Sequence, residues 1–245
     1  MRPVRAQGNQ AMDAVIDAKL PSFGQGLFGR LRQGAAGEWA AYVGHPFVRG
    51  LADGTLAPAH FKRFLVQDYL YLLQYARACA LAIYKSDTVE DMRVASATVS
   101  GLLQTELSMH LAYCRDWGLD EDALQAEPAS IELLAYTGFM LDRAQAGDLL
   151  DLLAVLSACL GGYAEVGVRL GADPATRRDG NPYLSWIEMY SGEKYLGLAE
   201  TGIARLNAMA EARGGDARFP ILLRDFRTAV RLEASFWTGA MVDPA

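Results

Sequence analysis

The sequence predicts an all-α protein. Apolar residues recur at three- and four-residue steps along nearly every segment. Strict apolar/polar alternation bounded by turns, the pattern of a half-buried strand, is hard to find. Hydrophobic residues make up 51% of the 245 residues, enough for a sizeable core and too many for a disordered chain.

Each element has a local reason. Residues 1–22 lack a sustained apolar face and are expected to be a weakly ordered N-terminal extension. Residues 23–245 are expected to form a single helical bundle-like domain. Helices are expected near 24–42, 58–86, 89–117, 128–146, 148–170, 183–191, 193–213 and 218–242. Asp53-Gly54 punctuates the first connection, and Pro58 suits the first turn of the next helix. Gly118 stops the helix that ends near Trp117. Pro128-Ala129-Ser130 opens the next, and Asp148 after Gly147 is a ready N-cap. Gly171-Ala172-Asp173-Pro174 closes that helix, residues 175–182 read as a polar loop, and Gly214-Gly215-Asp216 separates the last two helices. No fixed-period repeat is visible, which argues against a solenoid.

Charge and cysteine usage exclude several classes. Formal net charge is −6, and the basic residues are scattered, so no nucleic-acid surface is expected. Cys79, Cys114 and Cys159 are odd in number and widely spaced, neither a disulfide framework nor a zinc site, which fits a reducing, cytoplasmic setting. The start is basic, but no apolar run succeeds it and Asp13 and Asp17 break the segment, so no secretory signal is read. The longest apolar stretches carry Asp, Glu or Arg within each window of about 20 residues, so no membrane span is expected.

Two helical faces carry candidate chemistry. Phe64, Asp68, Tyr71 and Tyr75 fall at i, i+4, i+7 and i+11, with Leu72 and Cys79 nearby, so this face should point inward. A buried Asp68 must be bonded or must serve a ligand. From spacing alone, a structural Asp satisfied by a Tyr hydroxyl is the plainer reading. Cys159 and Tyr163 share a face at i, i+4 in Leu156-Ser157-Ala158-Cys159-Leu160-Gly161-Gly162-Tyr163-Ala164-Glu165-Val166-Gly167. A Cys there is by default a small core hydrophobe. Val230, Glu233 and Trp237 share a face late in the chain, and Trp39, Phe139 and Trp186 read as core. Glu106 and His110 form an E-x-x-x-H pair, with Glu132 and Glu165 on other helices. Di-iron bundles use Glu-x-x-His, so a structural Glu–His hydrogen bond is expected rather than a metal site. His45, before Pro46, reads as a turn residue.

Five segments, in this order and at these separations, carry a family resemblance: Gln67-Asp68-Tyr69-Leu70-Tyr71, Tyr136-Thr137, the Cys159 run, Trp186-Ile187-Glu188-Met189-Tyr190-Ser191-Gly192-Glu193, and Leu232-Glu233-Ala234-Ser235-Phe236-Trp237. From about residue 28 to 241 the chain resembles the TenA family of thiaminase II (aminopyrimidine aminohydrolase) enzymes, in the branch that carries a Cys at this position. The resemblance implies the haem-oxygenase-like fold and a hydrolase of thiamin salvage. Its substrate would be 4-amino-5-aminomethyl-2-methylpyrimidine or thiamin, with no metal or organic cofactor. It implies Cys159 as nucleophile, Glu233 as general acid, Tyr71 as the hydroxyl that assists the thiol, and Asp68, Tyr136, Tyr163 and Tyr190 as substrate contacts. Covalent catalysis of this type splits one hard step into easier ones. Cys159 lies too far inside its helix for the N-terminus to favour the thiolate, hence the need for a donor such as Tyr71. Desolvation among aromatics would favour a protonated Glu233. A homotetramer is also implied.

Gly161-Gly162 departs from the pattern, since members often carry larger residues there. It would widen the pocket or admit another backbone. Two other classes compete. A haem oxygenase or pyrroloquinoline quinone synthase would need an early axial His or a basic, His-lined pocket, and only three His occur, the first at His45. A non-catalytic pyrimidine-binding or regulatory protein would not need the Cys159/Glu233 pair.

Overall fold

The computed structural model describes residues 4–115 and 117–242, and for residues 4–10 and Thr105 it describes the backbone alone. The described elements are all helical: α1 (Val4–Lys19), a 3₁₀ turn (Pro21–Gly24), α2 (Gly26–Gly34), α3 (Ala36–Val43), α4 (Pro46–Asp53), α5 (Pro58–Tyr84), α6 (Val89–Gly101), a π-helical turn (Leu102–Glu106), α7 (Leu107–Arg115), α8 (Glu121–Ala126), α9 (Ile131–Ala146), α10 (Leu149–Ala172), α11 (Leu184–Ser191), α12 (Glu193–Ala212) and α13 (Gly215–Ala240). Pro58 sits in the first turn of α5, as expected. The carboxylate of Asp148 accepts from the Leu150 and Asp151 N–H groups at 2.9 and 3.1 Å, the N-cap expected for α10. Gly118 takes φ 73° just past α7.

The expectations differ from the structure in five places. The stretch expected to be weakly ordered holds α1, whose end is anchored by the fully buried Ile16 and Leu20. The helix expected over 24–42 breaks at Ala35, which is fully buried, so that α2 and α3 turn different faces inward. The first connection contains α4, which His45 N-caps through its ring by accepting from the Phe47 N–H at 3.2 Å. The short α8, capped by Asp120, fills part of the gap after Gly118. The helix expected over 89–117 is interrupted by the π turn. Among the described helices α10 is long and apolar enough to cross a membrane by length and composition alone. Its interior position explains that composition, since 78% of its most apolar window is buried.

Contacts group the chain into two compact units, Met1–Leu56 with Leu153–Ala234, and Ala57–Leu152 with Ser235–Ala245. In the first, α2 packs on α12, and α11 packs on α12 and α4. An aromatic core joins Phe28, Trp39 and Phe226, the last two stacked at 5.8 Å. The expected loop after α10 is tied down: Asn181 Nδ2 donates to Leu51 O at 2.9 Å and to Arg177 O at 3.0 Å, and Asn181 Oδ1 accepts from Tyr183 N–H at 2.9 Å. This fixes where α11 begins.

In the second unit α5 is the central helix, packed on α6, α7, α8 and α9. Gln67 clamps the start of α9. Its Oε1 accepts from Ser130 N–H at 2.8 Å, and its Nε2 donates to Pro128 O at 3.1 Å. At the other end Lys85 Nζ donates to Gln145 O and Gly147 O at 3.2 and 2.7 Å, placing a cation on the last carbonyls of α9.

Candidate active site

The candidate residues fall in both units. In the second, Phe64, Asp68, Tyr71 and Tyr75 are all buried along α5, as their spacing demands. The clamp at Gln67 sets the register of α9, whose buried face is Leu133, Tyr136, Thr137, Met140 and Ala144. The rings of Tyr71 and Tyr136 stack at 5.0 Å, and their hydroxyls share a hydrogen bond at 3.3 Å in which either can be the donor. Phe236, from the end of α13, lies 6.1 Å from Tyr71 between centroids. Phe139, expected in the core, keeps partial exposure because it lies off that face.

Asp68 is 3% exposed. Its Oδ2 lies 2.6 Å from His110 Nε2, and no hydrogen bond reaches Oδ1 from the described residues. The partner is therefore a His rather than the Tyr hydroxyl that spacing favoured. His110 Nδ1 lies 3.0 Å from the backbone carbonyl of Glu106. The expected Glu–His bond thus exists through the main chain, not the carboxyl.

The π turn explains this arrangement. A regular helix continuing the buried stripe of Ala95 and Leu102 would present positions 106, 109 and 113. One inserted residue rotates the rest of the helix by about 100°. The stripe becomes Leu107, His110 and Cys114, all buried.

Electrostatics follow from burial. Burial pushes the Glu106 carboxyl up to about 7, aided by the Asp68 charge and opposed by His110. For His110, burial pulls the imidazolium down, but the hydrogen bond and charge of Asp68, with the charge of Glu106, raise it overall. Burial raises the Cys79 thiol to about 12 and the Cys114 thiol to about 11, so both are inert packing groups.

The first unit carries Cys159, Tyr163, Tyr190 and Glu233. Cys159 is partly exposed, unlike the other two cysteines. Tyr163 packs against Tyr190 at 5.0 Å, and Trp186 lies 4.5 Å from Tyr190. Trp186 is thus core, as expected, and also the wall that holds Tyr190. Glu233 is 2% exposed on α13, on one face with the buried Val230 and Trp237.

The glycines of α10 set these contacts. A Cβ on Gly161 would lie 2.4 Å from Phe28 Cζ, and one on Gly162 would lie 2.0 Å from Tyr42 Cε1. This pair admits two aromatic rings; it neither widens a pocket nor admits a backbone. Gly167 is the residue that admits a backbone, since a Cβ there would lie 2.1 Å from Tyr190 O.

Sequence reasoning weighed Glu165 only against a metal site and missed its role; it is fully buried. Its Oε2 accepts from Trp39 Nε1 at 2.9 Å and from Arg32 Nε at 2.8 Å. Its Oε1 accepts from Arg169 Nε and Nη2 at 2.8 and 2.6 Å. Such a satisfied carboxylate holds α10 to α2 and α3 and leaves little for a ligand. Trp186, at i+4 from Tyr190, and Gln67, beside Asp68, were visible in the motifs but carried no sign of their roles.

Comparison with known proteins places this architecture. An aminopyrimidine aminohydrolase of Halalkalibacterium halodurans is 38% identical over 203 residues, 82% of this chain and 89% of that protein. A solved structure of a TenA family transcription regulator from Silicibacter sp. TM1040 is 37% identical, with a TM-score of 0.83, over 89% of this chain and 97% of that one. A domain from Shewanella denitrificans with a haem-oxygenase-like fold, 15% identical over 87% of this chain and 91% of that one, superposes with a TM-score of 0.66 and shows the fold alone. A model of the TENA/THI-4/PQQC family matches residues 32–243, and with five motifs in order on a haem-oxygenase-like fold, the chain belongs to that family, as a TenA-type member.

Proposed function

We propose that this protein is an aminopyrimidine aminohydrolase of thiamin salvage. It would convert 4-amino-5-aminomethyl-2-methylpyrimidine, and thiamin, to the 5-hydroxymethyl pyrimidine. The observation that carries the reading is Asp68, a buried carboxylate with one oxygen held by His110 and the other accepting nothing from the described residues. Oδ1 is left as an acceptor that a ligand can use, and an exocyclic amine is a donor that suits it. Relatives named aminopyrimidine aminohydrolase support the same chemistry.

The Cys159 thiolate adds to an electron-poor ring carbon, and Glu233 gives a proton to a ring nitrogen or to the departing amine. The ring loses aromaticity, the methylene C–N bond breaks, and ammonia, or the thiazole when thiamin is the substrate, leaves. Water adds to the methylene, forming the C–O bond and returning a proton to the Glu233 carboxylate, and the thiolate departs as the ring is restored. Tyr71 assists the thiol; Tyr136, Tyr163 and Tyr190 hold the pyrimidine by stacking and hydrogen bonds. A cytoplasmic location fits three cysteines, two of them buried thiols. The homotetramer implied by the resemblance fits the exposed Tyr84, Val89, Met92 and Leu103.

Cys159→Ala is the test. Hydrolysis, read as ammonia released and hydroxymethyl pyrimidine formed, should vanish, while the packing loss stays within about 1–2 kcal/mol. Turnover near wild type by the folded variant would remove the nucleophile. The relative called a transcription regulator favours a second reading, a pyrimidine-binding regulatory module. That reading requires tight pyrimidine binding by the unmodified protein with no turnover.

A further inference from the structure

His110 has no part in the catalytic steps proposed for Cys159 and Glu233, yet it is the group that fixes the state of Asp68. A backbone carbonyl only accepts, so the contact with Glu106 O places a hydrogen on His110 Nδ1. Nε2 then faces Asp68 Oδ2 at 2.6 Å, a distance typical of a charge-assisted bond. The hydrogen bond and charge of Asp68 raise the proton affinity of the ring and so favour the imidazolium. The titratable groups that act on the ring are Asp68 on α5 and Glu106 on the π turn; Cys79 on α5 faces Glu106 and stays neutral below about 12.

The choice of a His matters. A guanidinium fork would draw a donor onto both carboxylate oxygens, spending a lone pair of Oδ1 and turning the carboxylate toward itself. An imidazolium has one N–H to spend, because the other is committed to the main chain. It compensates the buried charge while engaging only Oδ2.

We propose that His110 is a positioning residue for amine recognition: it holds Asp68 oriented with Oδ1 presented to the exocyclic amine of a 4-aminopyrimidine. This rests on the aminopyrimidine reading and deepens it. The π turn at Leu102–Glu106 is part of the device, since it brings His110 onto the buried stripe.

Calorimetry with 4-amino-5-hydroxymethyl-2-methylpyrimidine tests this on the full chain, using Asp68→Asn, His110→Gln, His110→Arg and the double variant Asp68→Asn/His110→Gln. His110→Gln should weaken binding about 10–100-fold, and KM should rise with kcat little changed. His110→Arg should bind no better than His110→Gln, because the fork spends a lone pair of Oδ1 and turns the carboxylate away from the amine. In the double variant the His110 change should add almost nothing. If Asp68→Asn binds like wild type, the amine-recognition reading itself fails. If Asp68→Asn loses binding but His110→Gln does not, or if the two losses add, only the role of His110 is overturned. Nitrogen-15 spectra of the unsubstituted protein keep the test independent of variant folding. Both His110 ring nitrogens should be protonated at pH 7, and a neutral ring would overturn the proposal.

Discussion

Gly167→Ala tests whether the approach of α11 to α10 governs activity. The new Cβ would lie 2.1 Å from Tyr190 O, 2.4 Å from Tyr190 C and 2.9 Å from Ser191 N. The nearest of these falls about 1.3 Å short of ordinary van der Waals contact, a heavy overpacking. These are backbone atoms, so no side-chain rotation relieves the clash. The end of α11 must move by about 1 Å, or α10 must bend. Overpacking of this kind costs about 1–3 kcal/mol, a fall in Tm of about 2–12 °C for a chain of this length. Tyr190 would move away from Tyr163 and Trp186, and a displacement of about 1 Å at a substrate contact can cost about 100-fold in rate. Gly138→Ala on α9 is the control, because a Cβ there meets nothing within 4 Å. It should gain about 0.5–1 kcal/mol and leave turnover unchanged. Thermal unfolding and ammonia release on both variants decide the matter. If Gly167→Ala melts and turns over like wild type while Gly138→Ala behaves as expected, close packing at Gly167 does not position Tyr190.

Three further outcomes are expected. Glu165→Ala strands the Arg32 and Arg169 guanidiniums and the Trp39 indole, so urea unfolding should show a loss of about 3–5 kcal/mol; a loss under about 1 kcal/mol would mean that water replaces the carboxylate. Glu106 has a folded pKa of about 7, above its ordinary 4.5, so the folded state binds the extra proton and its stability is full below pH 4.5 and falls as pH rises toward 7. Glu106→Gln should flatten that fall and be more stable than wild type by about 1–3 kcal/mol at pH 8 and equal to it near pH 4, and parallel pH–stability curves would contradict a buried carboxyl. Glu233→Gln should slow hydrolysis by about 10²–10⁴-fold if it is the proton donor, and turnover close to wild type on both the aminomethyl pyrimidine and thiamin would leave it without that role.

The sequence by itself determined the helical class, the inward face of α5 and the family. Those depend on quantities that act along one helix or one motif. Apolar spacing fixes angles around a single axis, so Phe64, Asp68, Tyr71 and Tyr75 were bound to share a buried face. Gly118 and Asp148 act on the turns next to them, so the ends they mark were legible too. The breaks at Ala35 and at Leu102–Glu106 were not, because the glycines beside them, Gly34 and Gly101, are residues that a continuing helix also tolerates. A π turn forms where packing on neighbouring helices outweighs the loss of regular hydrogen bonds, and that balance is set by other parts of the chain. Spacing therefore paired His110 with Glu106, which it meets through the main chain, whereas only the tertiary structure gave it the carboxylate of Asp68. The glycines of α10 show the same division. Sequence marked Gly161-Gly162 as unusual, but only the packed neighbours decided that they receive Phe28 and Tyr42, while Gly167 receives the backbone of Tyr190. Which helix fills a gap is a contest among all the surfaces a chain can bury, and helical periodicity constrains only one side of each contact.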